Sequence, residues 1–156
     1  MKLQACLLTV GLIVATGAYA DTAAQSTEKI NFLKKVYADA LNEDLMGVDV
    51  VKLHGSKELR ALIGKRDAIA DAHQGDMCEW VENTLIPGQD YDVKAHQIQY
   101  TALSNGRIQV RAKNFGQPFK IDFDVKCNAG TCKIADLFNP QSFKQSVTNI
   151  VRKGTC

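Results

Sequence analysis

The side chains that do chemistry are few and scattered. The three histidines, His54, His73 and His96, fall in separate segments. None belongs to an H-x-x-x-H or H-E-x-x-H arrangement, so no spacing places two imidazoles on one metal ion. Each reads as a surface or loop histidine. Asp71, His73 and Asp76 crowd one short stretch, and they read as a solvated helix end rather than an acid/base cluster. No G-x-S-x-G, P-loop or G-x-G-x-x-G occurs, so serine-hydrolase and nucleotide chemistry have no support. The expectation is no catalytic residue, no cofactor and no metal.

Sulfur is the remaining chemistry, and its meaning depends on the compartment. Met1-Lys2 is followed by an apolar run from Ala5 to Ala18 and an A-x-A site at Ala18-Tyr19-Ala20. This is the pattern of a secretory signal peptide. The run is shorter than the ~20 residues a spanning helix needs. Residues 1–20 therefore read as a signal peptide cleaved after Ala20, and 21–156 as one domain, periplasmic or secreted, with no transmembrane segment. Cys6 opens the apolar run instead of following it, which argues against lipidation. Cys78, Cys127, Cys132 and Cys156 remain. An even number in an exported chain reads as two disulfides. A four-cysteine zinc site is the rival, since the Cys127–Cys132 spacing permits it, but the other two ligands are lone and distant. A redox C-x-x-C is absent.

Composition is that of an ordinary globular domain, with 46% hydrophobic and 23% charged residues among 156. Nineteen basic residues oppose seventeen acidic ones, giving +2. That is too small to argue for nucleic acid or an anionic membrane surface.

The elements change character near residue 92. Ser26 reads as an N-cap for a helix of roughly 27–42, whose apolar stripe is Ile30, Leu33, Tyr37 and Leu41, widened by Phe32, Val36 and Ala40. Ser56 reads as the cap of a second helix, roughly 57–74. Residues 45–54 are ambiguous. From Val93 the period is two. Ile98, Tyr100 and Ala102, then Ile108, Val110 and Ala112, then Phe119, Ile121, Phe123, Val125 and Cys127 form one apolar face. Tyr100 is the one polar group on it and is expected in the core. Cys132 and Ile134 begin a fourth strand. Asn139 and Pro140 read as the start of a last helix carrying Phe143, Val147, Ile150 and Val151. The apolar pattern favours a three-residue Ser104-Asn105-Gly106 loop between the first two strands. A Gly116-Gln117 turn joins the next two and sets Arg111 opposite Asp122. The fold class is α+β: N-terminal helices packed on a curved antiparallel meander of three to four strands, with a C-terminal helix.

The connection Asp76-Met77-Cys78-Glu79-Trp80, the run Gly88-Gln89-Asp90-Tyr91-Asp92 and the strand Cys132-Lys133-Ile134-Ala135-Asp136, with a closing segment opened by Ser142, resemble a bacterial exported family. That family has a nuclear transport factor 2-like fold and little assigned chemistry. Trp80, Asp90, Tyr91 and Asp92 carry the resemblance. It implies a cone, a bent sheet wrapped around the N-terminal helices. Where many members have Trp, this chain has Cys132, which suggests a local disulfide.

Hairpin geometry points the same way. Cys127 ends one strand and Cys132 opens the next across Asn128-Ala129-Gly130-Thr131, so the two sit opposite each other, within reach of a bridge. That leaves Cys78 with Cys156.

The inward set is apolar, and Asp122 and Asp124 fall outside it by parity. This argues against an enzyme. Asp90 and Asp92 read as turn caps around Tyr91. The outward face carries Arg107, Gln109, Arg111, Lys113, Lys120, Asp122, Asp124 and Lys126. Such a face is usually solvated, and it is also where a partner protein would dock. The first reading is a non-enzymatic exported binding or accessory protein acting by protein–protein contact. A narrower one is an immunity protein that neutralises a periplasm-acting toxin. The others are small-ligand binding or minor enzymatic chemistry in the cone.

Overall fold

The computed structural model describes residues 21–73, 78, 84–88 and 90–156. Residues 1–20, whose sequence reads as a signal peptide, and Trp80 lie outside them.

Helix α1 (Ala23–Ala40) starts four residues earlier than its apolar stripe announces. Thr22, not Ser26, is the cap: its hydroxyl accepts from Gln25 N, and the Gln25 side chain accepts from Thr22 N at 2.9 Å. This reciprocal capping box satisfies two otherwise orphaned donors. Leu33, Val36 and Tyr37 are buried, with Ile30, Phe32, Ala40 and Leu41 packed around them. The ambiguous 45–54 stretch resolves into a 3₁₀ turn (Glu43–Leu45) and a short helix α2 (Val50–His54) capped by Asp49. Ser56 caps α3 (Lys57–Ala72) through Leu59 N, as its sequence suggests.

Four strands follow in the order β1-β2-β3-β4: Gln99–Ala102, Ile108–Asn114, Gln117–Asn128 and Thr131–Phe138. All pairs are antiparallel. Helix α1 lies across the inner face and touches every strand. Ile108, Val110, Ile121, Phe123 and Val125 are wholly buried beneath it. The chain between α2 and α3 passes the outer edge of β4, where Ser56 N donates to Ile134 O at 2.7 Å.

The β1–β2 loop has the expected register, with Tyr100 opposite Val110 and Ala102 opposite Ile108. Gly106 takes φ +79°, a left-handed conformation that costs glycine little.

The β2–β3 turn differs from its sequence reading. The central residues are Phe115 and Gly116, with φ +47° and +79°, and the flanking pair is Asn114–Gln117. Every β3 residue is displaced by two relative to the Gly116-Gln117 expectation. Arg111 therefore faces Lys120, and Asp122 faces Gln109. A shift of two keeps each side chain on its face, so the apolar pattern cannot detect it. Pro118 decides. The residues flanking a two-residue turn exchange both backbone hydrogen bonds. Proline has no N–H to give there. One pair further out, opposite Lys113, its missing donor is not needed.

The β3–β4 hairpin closes on Ala129-Gly130, with Asn128 opposite Thr131 and Cys127 opposite Cys132. A bulge lies between Asp124 and Val125.

Helix α4 (Phe143–Lys153) is capped by Ser142 rather than Asn139; Asn139-Pro140 is a cis peptide ahead of it. Asp136 reinforces this start, accepting from Ser142 Oγ at 2.6 Å and Lys144 N at 2.9 Å. The helix packs on α3 and β4, burying Val147. Two disulfides, Cys78–Cys156 and Cys127–Cys132, brace the fold. Their sulfurs bond pairwise, which displaces the four-cysteine zinc alternative.

Candidate sheet-face site

The outer face of the sheet is banded along its strands. The register places Lys126 opposite Lys133 near the β3–β4 turn, then Asp124 opposite Asp136, then Gln109, Asp122 and Phe138 in one row. Beyond them Arg111 faces Lys120, and Lys113 faces Pro118 next to the Phe115-Gly116 tip. Counted from the two-residue turn, Arg111 and Lys120 form a non-hydrogen-bonded pair, the closer kind, with Cα atoms ~4.5 Å apart. Like charges so placed repel.

The acids on this face are occupied. Asp122 Oδ1 accepts from Gln109 Nε2 at 2.8 Å. Asp124 pairs with Lys126 at 3.0 Å. Asp136 is spent on the start of α4. Gln109 is itself buried, and its Oε1 accepts from Arg111 Nε at 2.6 Å, which orients that guanidinium. Arg107 stacks over the Phe138 ring, 3.5 Å from its centroid. Arg111, Lys113 and Lys120 are exposed, and none is in an ion pair among the described residues. Phe115 stands at the tip with 63% of its surface exposed. An aromatic at positive φ in a type I′ position that favours Asn or Gly is an uncommon choice.

The remaining sequence candidates sit elsewhere. Asp90, Tyr91 and Asp92 are exposed. Asp92 side-chain chemistry goes to Lys94, and the segment is held by its backbone instead. Buried Asn114 donates to Pro87 O at 2.8 Å and Asp90 O at 3.0 Å, and accepts from Asp92 N at 2.8 Å. An open cleft of about 550 Å³ lies beside it, lined by Pro87, Asp90, Phe115, Pro118 and Phe119 among others. Asn114→Asp removes both donors and sets a charge against two carbonyls. A loss of about 1–3 kcal/mol is expected in urea unfolding, with faster amide exchange across 84–92.

His54 is not the surface group its sequence suggested. It is buried, with Nε2 2.6 Å from Asp39 Oδ2 and its ring edge-on to Phe32. This contact fastens α2 to α1. His73 bonds to its own helix, at Ile69 O, and His96 is exposed. Asp76 lies outside the described residues. Arg66 bridges Asp49 and Asp67, and Lys52 reaches Asp67 at 2.7 Å. Burial pushes the Asp67 carboxyl up, but hydrogen bonds and charge from Lys52 and Arg66 outweigh it and hold it below the ordinary range. Lys29, buried at the other end of α1, holds Asp21 and donates to Gly106 O at 3.0 Å. Tyr100 is only half-buried, although burial raises its hydroxyl to about 12.

The Asn114 clamp and the His54–Asp39 contact join residues far apart in sequence, and no motif marks them. Phe115 was open to detection, because Phe115-Gly116 satisfies the apolar pairing as well as Gly116-Gln117 does.

Fold and site together define a disulfide-braced α+β domain with an open, charge-banded sheet face. Set against protein-family models, curated proteins and solved structures, the chain matches none. Among the described residues, no helix is long and apolar enough to cross a membrane.

Proposed function

We propose that this is an exported, non-enzymatic protein that binds a partner protein through the outer face of its sheet. Acidic side chains of the partner would meet Arg111, Lys113 and Lys120, and Phe115 would enter an apolar socket beside them. One observation carries the reading: Arg111 and Lys120 face each other while the acids of the face are occupied elsewhere. The chain tolerates repulsion and an exposed aromatic at the same end of the sheet, and a complementary partner would relieve both. The signal-peptide pattern of residues 1–20 and the two disulfides support export. The apolar, filled inner face supports a non-enzymatic role, in keeping with a nuclear transport factor 2-like cone used as a scaffold. The narrower reading is an immunity protein, with an exported toxin as the partner.

The test places a photo-cross-linking residue at Lys113 and, as control, at exposed Lys34 on α1. A discrete, salt-sensitive protein adduct is expected from position 113 and none from position 34. Lys120→Glu should abolish the adduct while stabilising the domain by ~0.2–1 kcal/mol, because it turns a like pair into an opposite one and leaves the Arg111–Gln109 hydrogen bond in place. Phe115→Asn should also abolish it, and should stabilise by about 1 kcal/mol as the turn relaxes. Loss of binding with a gain in stability cannot come from misfolding. Equal adducts from both positions, or adducts indifferent to Lys120→Glu, would sink the reading.

A further inference from the structure

Glu28 on α1 brings a carboxylate oxygen within 4.8 Å of both Cys127 Sγ and Cys132 Sγ, the one such ligand-type trio among the described residues. Glu28 is half-buried and has no ion pair or side-chain hydrogen bond among the described residues. A carboxylate in that position, facing two sulfurs and without an ion pair among the described residues, supplies one of the three protein ligands of a coordination site. While the sulfurs are bonded to each other they cannot complete it, because thiolate is the metal-binding form.

We infer that the reduced β3–β4 hairpin binds a thiophilic divalent cation, Zn²⁺ by its ligand chemistry, through Cys127, Cys132 and Glu28. The two cysteines occupy a closely spaced cross-strand pair, Cα–Cα 4.0 Å. Once reduced, their sulfurs need to part only to ~3.8 Å, the separation set by two Zn–S bonds of ~2.3 Å in a tetrahedron. Glu28 then closes in by a side-chain rotation, on a helix already fixed to the neighbouring turn by Lys29 and Gly106 O. Cys132 is buried, whereas Cys127 and Glu28 are half-buried, so the fourth position opens toward water. The chemistry balances in two steps. A dithiol donates two electrons and two protons to the Cys127–Cys132 bond and becomes a disulfide itself. Zn²⁺ then displaces the two thiol protons as it binds. Metal and disulfide exclude each other, so the hairpin has two forms chosen by redox state.

The experiment uses the purified protein, reduced with a phosphine and desalted without oxygen. Zn²⁺ is added, thiols are alkylated, and the modified sites are mapped by mass spectrometry. Zn²⁺ should slow alkylation of Cys127 and Cys132 at least ~10-fold while leaving the rates at Cys78 and Cys156 unchanged. Glu28→Gln should weaken Zn²⁺ binding by at least ~10-fold, since even the outer partners of metal ligands are worth ~10–100-fold, and the oxidised protein should take up none. Protection falling on Cys78 and Cys156 instead, affinity unchanged in Glu28→Gln, or no uptake at all would overturn the inference. If reduction unfolds the chain, Zn²⁺ must restore its far-ultraviolet dichroism in the wild type, and failure to do so overturns it equally.

Discussion

Tyr37→Ala should destabilise the protein by about 3–5 kcal/mol, the range for large aromatic truncations in a packed interior. Tyr37 is 1% exposed and sits where α1 crosses the sheet. Its ring meets Phe123 edge-on at 6.1 Å and Tyr100 at 6.3 Å, and its hydroxyl donates to Leu85 O at 3.2 Å. One side chain thus joins the helix, two strands and the segment that leads into the sheet. Burial drives its hydroxyl well above the ordinary tyrosine range, so the group remains a donor throughout the physiological range. Tyr37→Phe keeps the ring and loses only the hydrogen bond, and about 0.5–1.5 kcal/mol is expected. Urea unfolding of both variants measures the two contributions separately. Tyr100→Ala should cost less than Tyr37→Ala, because Tyr100 is half-exposed on the edge strand β1. A Tyr100→Ala loss equal to that of Tyr37→Ala would show that the edge strand is more deeply packed than this geometry allows.

The sequence made the faces legible and left the registers partly open, and the reason is the same in both cases. Side chains alternate with period two, so parity sorts Ile108, Val110, Ile121 and Phe123 inward whichever even shift a hairpin adopts. Only a local chemical fact can choose between even shifts. At Gly106 no such fact was needed, because the two-residue alternative is a shift of one that reverses the faces, and the apolar pairing excludes it. At Phe115 it was the missing N–H of Pro118, a weaker signal than the apolar match. The error mattered, since it exchanged a compensated Arg111–Asp122 pair for the repulsive Arg111–Lys120 pair on which the functional reading rests. Caps were legible where they adjoined the apolar stripe, as at Ser56. At Thr22 the capping box lies a turn ahead of that stripe. Asn139 looked the better cap than Ser142 because Pro140 follows it. The support that Asp136 gives Ser142 comes from β4, which sequence order alone does not bring near. Buried polar groups were the least legible. Lys29, His54 and Asn114 are buried because distant segments cover and satisfy them.

Removing the long-range disulfide should have the other large effect. Cys78 and Cys156 are 78 residues apart in sequence, whereas Cys127 and Cys132 are separated by 5. In the chain-entropy account, a bridge restricts the unfolded state by an amount that grows with the logarithm of the loop. The long loop then contributes about 4–5 kcal/mol and the hairpin loop about half as much. The long bridge also acts on the native state locally. Cys156 lies two residues beyond the left-handed Gly154 that ends α4, and the bridge fixes that end to buried Cys78 in the connection between α3 and the sheet. Without it, α4 is held by its packing on α3 and β4 and by the Asp136–Ser142 contact at its opposite end. Cys156→Ser should therefore lower stability more than Cys132→Ser does, and amide protection should fall first in the last turns of α4. Each variant leaves a partner thiol, so both should be compared with Cys78→Ser/Cys156→Ser and Cys127→Ser/Cys132→Ser, which leave none. Urea midpoints in which the hairpin double variant is the less stable would show that β3–β4 pairing, not closure of the long loop, dominates the contribution of sulfur to this fold.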